Sequence, residues 1–252
     1  MNLIDFGADR MSKIDDVKMD LMVASRILAS EGVCDAFGHV SARHPDDPEV
    51  FIMSRASAPD LVETNDMMLF ALDGTPQGGD DRKPFLERFI HGALYEKRPD
   101  VHSVVHSHSR TVVTFSVSTE SVRPVMHSCA CIGHNVPVWD AQVSFGDTDL
   151  LISDMAMGRN FAEVMGDDTA ALMRGHGSTV GGTSIRGAVY TAIYLEVNAL
   201  LQMQAKQLGS VTYLTDGEID KVRARLAKGK PGEGYARAWD YWCKRAGISG
   251  SI

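Results

Sequence analysis

The chain has 252 residues, a net charge of −8, and 44% hydrophobic against 23% charged residues. This is an ordinary globular composition with length for a sizeable core, and the lack of a basic stripe argues against a nucleic-acid partner. No run of about 18 apolar residues marks a membrane span. The acidic N-terminus lacks the apolar stretch of a signal peptide, so the expectation is a cytoplasmic protein with no membrane partner.

The elements follow in chain order. Ser12 and Asp15 resemble a capping box, after which Val17, Leu21, Ala24 and Leu28 recur at helical spacing until Gly32. Strands are expected at 39–43 and 49–54, separated by the turn sequence PDDP, and at 67–72 before DGTP. Pro84 reads as the first residue of a helix that ends before Pro99. A strand at 101–106, a short helix at 111–118 and a strand at 136–140 come next. Thr148 to Met165 reads as helix, and 169–174 as a buried strand running into GHGSTVGG. A long helix spans Ser184 to Gly209, and two shorter ones close the chain. The alternation predicts a three-layer α/β/α fold with a mixed, largely antiparallel sheet, and one domain over residues 1–252. Eight regular βα units are missing, which argues against a barrel. The four cysteines, Cys34, Cys129, Cys131 and Cys243, show neither ligand nor disulfide spacing and read as reduced thiols.

The stretch VHSVVHSHSR carries the first chemical signal. On a strand, His106 and His108 project from one face, ~7 Å apart along the backbone. Such a pair is half of a metal site and needs a third ligand. His176, between two glycines in RGHGS, is the best candidate, because glycine lets the backbone turn sharply there. His102 is ~13 Å from His106 on an extended strand, too far to share an ion. The competing reading is hydrogen-bonded structural histidine. Glu87 lies in the first turn of the expected Pro84 helix, where the helix dipole alone favours a carboxylate. It can instead pair with Arg82 or Lys83, with His91 following on the same face. The sharper reading is a general acid/base beside a metal.

The stretch from Glu87 through ERFIHGALYEKRPDVHSVVHSHS, with RGHGS at 174–178 and GHVSAR at 38–43, resembles the class II aldolase/adducin family over roughly residues 15–210. The resemblance implies that His106, His108 and His176 bind a divalent ion and that Glu87 is the catalytic acid/base. It also implies a homo-oligomer, a tetramer or higher, with sites at subunit interfaces. Residues 210–252 would then be a C-terminal helical extension able to pack on a neighbour. Tyr235, Trp239, Tyr241 and Trp242 could serve there, although packing within the chain explains most of them.

The departures from the family's sugar-phosphate aldolases decide the expected substrate. Small hydroxyl residues before the catalytic Glu are replaced by Pro84, Phe85 and Leu86. The Asn of a phosphate-binding G-N-[VL]-S becomes His39, and a Thr-Gly becomes Ser54 and Arg55. A proton-donating Tyr aligns with Ser128, beside His127. These changes remove a phosphate cradle and add an imidazole and a planar guanidinium suited to a carboxylate. FIMSRASAPDLV and FLERFIHGALYE resemble the branch containing 3-hydroxy-2-methylpyridine-4,5-dicarboxylate and dihydroxyphthalate decarboxylases.

The resemblance thus implies a Mn2+- or Zn2+-dependent decarboxylase of a hydroxylated aromatic or pyridine dicarboxylate, a small-molecule carboxylate. His39, Ser54, Arg55, Phe85 and His127 would be substrate-binding. Glu87 would return a proton to the ring, a role that needs burial to raise its pKa. The alternative is an aldolase or epimerase acting on an unphosphorylated hydroxy acid. An adducin-like scaffold is disfavoured because all three histidines and Glu87 are kept. An amidohydrolase-type decarboxylase is disfavoured because its H-x-H ends a first barrel strand.

Overall fold

The computed structural model describes residues 12–229 and 232–248, so the reading of the N-terminal residues as lacking a signal peptide lies mostly outside it. In chain order the elements are α1 (Lys13–Ser30), β1 (His39–Arg43), β2 (Val50–Ser54), β3 (Met67–Ala71), α2 (Arg88–Lys97), β4 (Ser103–Ser107) and α3 (Arg110–Ser116). There follow β5 (Val138–Trp139), α4 (Ala141–Phe145), α5 (Met155–Met165), β6 (Ala170–Met173), β7 (Gly177–Gly182), α6 (Ile185–Leu208), α7 (Asp216–Leu226) and α8 (Ala236–Arg245). Capping chemistry sets several boundaries. The Ser12 hydroxyl accepts from the Asp15 N–H at the start of α1, and Ser184 accepts from the Gly187 N–H at the start of α6. Among the described residues no helix is long and apolar enough to cross a membrane.

The strands form one seven-stranded sheet in the order β3-β2-β1-β4-β7-β6-β5. Only the short β5–β6 pair is parallel. Side chains alternate between the two faces. Val40, Ala42, Ile52, Val105, Leu172 and Val180 pack with α1, α3, α6 and α8. Phe51, Met53, Val104, Ala171 and Met173 pack with α2 and α5. The expected three-layer α/β/α arrangement with a mixed sheet is therefore the observed one. Trp239 and Trp242 of α8 are buried in the first core of their own chain, and Tyr241 is exposed.

Four expected boundaries differ. Helix α2 starts at Arg88, not Pro84, because the backbone before it is held alongside the end of β2 by the Ala56 N–H donating to Lys83 O. Glu87 is thus the N-cap residue. Helix α5 starts at Met155 rather than Thr148. The side chains of Thr148 and Asp149 accept from the Leu150 and Leu151 N–H groups, and Asp154 caps the helix. The strand expected at 136–140 shrinks to two residues, followed by the unexpected α4. GHGSTVGG contains a full buried strand, β7, which its glycines concealed.

Helix α5 crosses α2 through Gly158, where a Cβ would lie 2.6 Å from the Phe89 carbonyl oxygen. Gly158→Ala is expected to push the helices apart and lower stability by about 1–3 kcal/mol. Urea unfolding monitored by circular dichroism reads this directly, and an unchanged midpoint would mean that the crossing has slack.

Candidate metal centre and active site

Each side chain of the cluster is delivered by a different local device. His106 lies on β4, fully buried, on the α2/α5 face with Val104. His108 lies one residue past the end of β4. The turn after it is pinned by Glu196 of α6, which accepts hydrogen bonds from the Ser109 and Thr111 hydroxyls and from the Thr111 and Val112 N–H groups. His176 occupies the turn between β6 and β7. Gly177 must lack a side chain for β7 to reach β4, since a Cβ there would sit 2.1 Å from Ser107 O. Glu87 enters from the start of α2, and one carboxylate oxygen accepts from the Ile152 N–H at 3.2 Å.

These residues converge. The His108 Nε2 is 3.1 Å from the His106 Nε2 and 3.0 Å from the His176 Nε2. Glu87 Oε2 lies 3.6 Å from the His106 Nε2 and 3.5 Å from the His176 Nε2. All four ligand atoms fall within 4.8 Å of one another. Neutral imidazoles have one proton each, so three facing Nε2 atoms cannot all be satisfied by hydrogen bonds among themselves. A cation at the usual Zn–N distance of about 2.0–2.1 Å would separate tetrahedral nitrogens by roughly 3.3 Å, close to what is found. The donor set fits a divalent ion.

Electrostatics agree with that fit. Burial lowers the pKa values of His106 and His108 against the upward pull of the Glu87 carboxylate, neighbouring imidazoles repel a further proton, and both rings stay in the neutral ligating form. Glu87 behaves opposite to the sequence expectation. Burial does push its carboxyl up, but the imidazoles of His106 and His176 and the Ile152 N–H outweigh it and hold the pKa at about 2. Glu87 is a carboxylate at neutral pH, ready to take a proton before it can give one.

The expected substrate residues divide. His39 is buried on the same face, directly opposite His106 in the β1–β4 pairing, with ring centroids 5.0 Å apart. Phe85 packs on His39 at 4.6 Å. Continuing the pairing of Ser41 with Met53 outward by two residues brings Arg55 level with His39. The Arg55 Nε donates to Asp66 at 2.7 Å, its side chain is 44% exposed, and its outer nitrogens bond no protein group among the described residues. Ser54 alternates with Met53 and so shares the opposite face with Ile52, away from the histidines. His127 is exposed, and among the described residues its ring bonds only the adjacent Ser128 and makes no ring contact with the cluster. His134 pairs with Asp220 at the surface. Sequence reasoning missed the partners behind His39, namely His91, Ser41 and Tyr95. The i+4 spacing of His91 from Glu87 was the only signal for any of them.

Residues 19–203 match the family described as Class II Aldolase and Adducin N-terminal domain. The chain belongs to this family. It is 32% identical over 243 residues to the decarboxylase tropJ of Talaromyces stipitatus, covering 89% of this chain and 91% of that one. It is 29% identical to the 3,4-dihydroxyphthalate decarboxylase of Arthrobacter keyseri, over 75% of this chain and 78% of the relative. A 5-deoxy-D-ribulose 1-phosphate aldolase and an L-fuculose phosphate aldolase match as well. A solved aldolase II superfamily protein from Pseudomonas syringae shares the fold, with a TM-score of 0.77, 24% identity and 96% coverage of both chains. The relatives of this class II aldolase-family chain thus include carbon–carbon lyases of both kinds, decarboxylases and aldolases.

The buried titrating groups predict how the metal-free chain responds to acid. Burial holds His91 at about 3, against 6.5 for a free imidazole. Below pH 6.5 the unfolded chain gains a proton that the folded one refuses, so stability falls as pH drops from 6.5 toward 3. Glu87 adds a further loss as pH falls from 4.5 toward 2. The urea midpoint should therefore decline between pH 7 and pH 5, and His91→Gln should flatten part of that decline. A wild-type midpoint that stays level over this window would contradict neutral buried imidazoles.

Proposed function

We propose that the protein is a metal-dependent decarboxylase of a hydroxylated aromatic or pyridine dicarboxylate. The observation that carries this reading is the Phe85–His39 pair beside the histidine cluster. An aromatic wall and an imidazole stand where a sugar-phosphate enzyme needs a phosphate cradle. Arg55, level with His39, has outer guanidinium nitrogens free for a second carboxylate. Similarity to the decarboxylase tropJ supports the reaction, and similarity to the 3,4-dihydroxyphthalate decarboxylase supports a hydroxylated aromatic dicarboxylate as substrate.

His106, His108 and His176 would hold the ion, Mn2+ or Zn2+, as neutral ligands. Once bound, it supplies a Lewis acid for the substrate oxygen on which negative charge collects. His39 and Arg55 hold and orient carboxylates, and Phe85 stacks on the ring. Glu87, ionised, takes the proton of the ring hydroxyl and returns it to the ring carbon that bears the departing carboxylate. The carbon–carbon bond then breaks, its electrons return through the ring to the hydroxyl oxygen, and CO2 leaves. Solvent supplies the proton that restores the hydroxyl. His127, exposed in the single chain, would act from one subunit on the site of its neighbour in a homo-oligomer.

A second reading, retro-aldol cleavage of an unphosphorylated hydroxy acid, is favoured by one observation. An ionised Glu87 is also the base that such a cleavage needs to remove a hydroxyl proton. The product separates the two, an aldehyde or ketone instead of CO2.

Mn2+- or Zn2+-loaded protein is expected to release CO2 from at least one member of a panel of hydroxyphthalates and hydroxypyridine dicarboxylates. A carbonyl product from hydroxy acids, with no CO2 across the panel, would replace this reading with the second. Glu87→Gln should keep its metal and lose turnover by about 10²–10⁴-fold. Full activity in that variant would remove Glu87 from the proton path. Arg55→Ala should raise KM for a dicarboxylate by roughly tenfold while leaving a monocarboxylate analogue nearly unchanged. Equal effects on both would remove Arg55 from the second carboxylate.

A further inference from the structure

Behind the cluster, four polar side chains run in a single file through the α2/α5 face. Tyr95, Ser41 and His91 are 1%, 0% and 0% exposed, and His39 is 6% exposed. The Tyr95 hydroxyl is 2.7 Å from the Ser41 Oγ, the Ser41 Oγ is 2.6 Å from the His91 Nδ1, and the His91 Nε2 is 2.7 Å from the His39 Nδ1. None of these links belongs to a chemical role assigned above.

The direction of the file follows from counting hydrogens. Among the described residues the Tyr95 O–H has one acceptor, the Ser41 Oγ. A buried donor without an acceptor is rare in folded proteins, so Tyr95 donates to Ser41. The Ser41 hydrogen then has one remaining destination, the His91 Nδ1. Burial keeps the His91 ring neutral, so its single proton sits on Nε2 and is donated to the His39 Nδ1. An imidazole that accepts at Nδ1 carries its own proton on Nε2. The His39 Nε2 has no protein partner among the described residues, and the ring lies 5.0 Å from that of His106 and 4.6 Å from that of Phe85.

We infer that Tyr95, Ser41 and His91 are positioning residues that lock His39 into its Nε2–H tautomer, making it a fixed hydrogen-bond donor beside the metal cluster and barring it from becoming a fourth imidazole ligand. Both His39 lone-pair positions are spoken for, one by the His91 hydrogen and one by its own proton. The coordination positions beyond the three Nε2 atoms are thereby left for substrate. The donated Nε2–H suits an anionic oxygen, a carboxylate or phenolate, and cannot serve as an acceptor for a substrate hydroxyl. In naming the group that meets the substrate oxygen, the inference rests on the decarboxylase reading; the tautomer itself does not.

Long-range 1H–15N correlation spectra of Zn2+-loaded, histidine-labelled protein read the tautomers without any substrate. His39 and His91 are each expected to show protonated Nε2 and bare Nδ1. A proton on the His39 Nδ1 overturns the inference. Tyr95→Phe removes the hydrogen that sets the direction, and His39 should become a mixture of tautomers with zinc stoichiometry unchanged. Salicylate, as a probe anion, should then bind more weakly in proportion to the lost Nε2–H fraction, about twofold for an even mixture. A Tyr95→Phe protein with the wild-type tautomer would reduce the file to structural filling and sink the positioning role. His39→Asn should keep its zinc, and loss of stoichiometric zinc there would make His39 a ligand after all. Absence of CO2 release with the tautomer as expected would reject the decarboxylase reading alone.

Discussion

The antiparallel register across β1, β4 and β7 is the constraint on which the site depends. It sets His39 opposite His106 and His106 opposite Thr179, all on the α2/α5 face. A slip of one residue in any of these strands would turn its polar side chain into the other core. That core, between the sheet and α1, α6 and α8, is apolar. The hydrophobic alternation of Val40, Ala42, Val104, Val105 and Val180 therefore fixes the chemistry as well as the fold.

Burying several imidazoles is costly unless each polar atom finds a partner. The structure meets this in two ways. His91 and His39 are satisfied by a hydrogen-bonded file that ends at Tyr95. His106, His108 and His176 instead face one another with lone pairs that only a cation can satisfy together, and the buried Nδ1 of His176 has no hydrogen-bond partner among the described residues. A divalent ion there would add positive charge beside the Glu87 carboxylate, and in a chain whose overall charge is −8 such local charge is what would hold an anionic ligand.

One arrangement accommodates both chemistries found among the relatives. Decarboxylation of a hydroxy-aromatic acid and retro-aldol cleavage each leave electrons that settle on an oxygen, and each begins with a base near a hydroxyl. In the proposed function the cluster and Glu87 would supply these shared requirements, and Phe85, His39 and the guanidinium of Arg55 would be the walls that meet the substrate.

Much of this was legible in the sequence, and the reasons for the rest are physical. Alternating and helical patterns mark the layers, and H-x-H with G-H-G marks the candidate metal ligands, because ligand chemistry needs particular residue types at short spacings. Strand β7 was hidden because its glycines carry no hydrophobic pattern, although it needs them to approach β4. Pro84 does not open α2 because the backbone before that helix is held by the Ala56 N–H donating to Lys83 O, a contact distant in sequence. The charge state of Glu87 escapes the sequence for a similar reason: burial alone raises a carboxyl, and only the folded chain shows which imidazoles and N–H groups surround it. The sequence by itself determined the layers and the residue types that gather in the cluster. Tertiary structure alone decided which face Ser54 and His39 occupy, how Glu87 is ionised and which way the hydrogen bonds behind His39 run, because these depend on partners brought together across strands rather than along the chain.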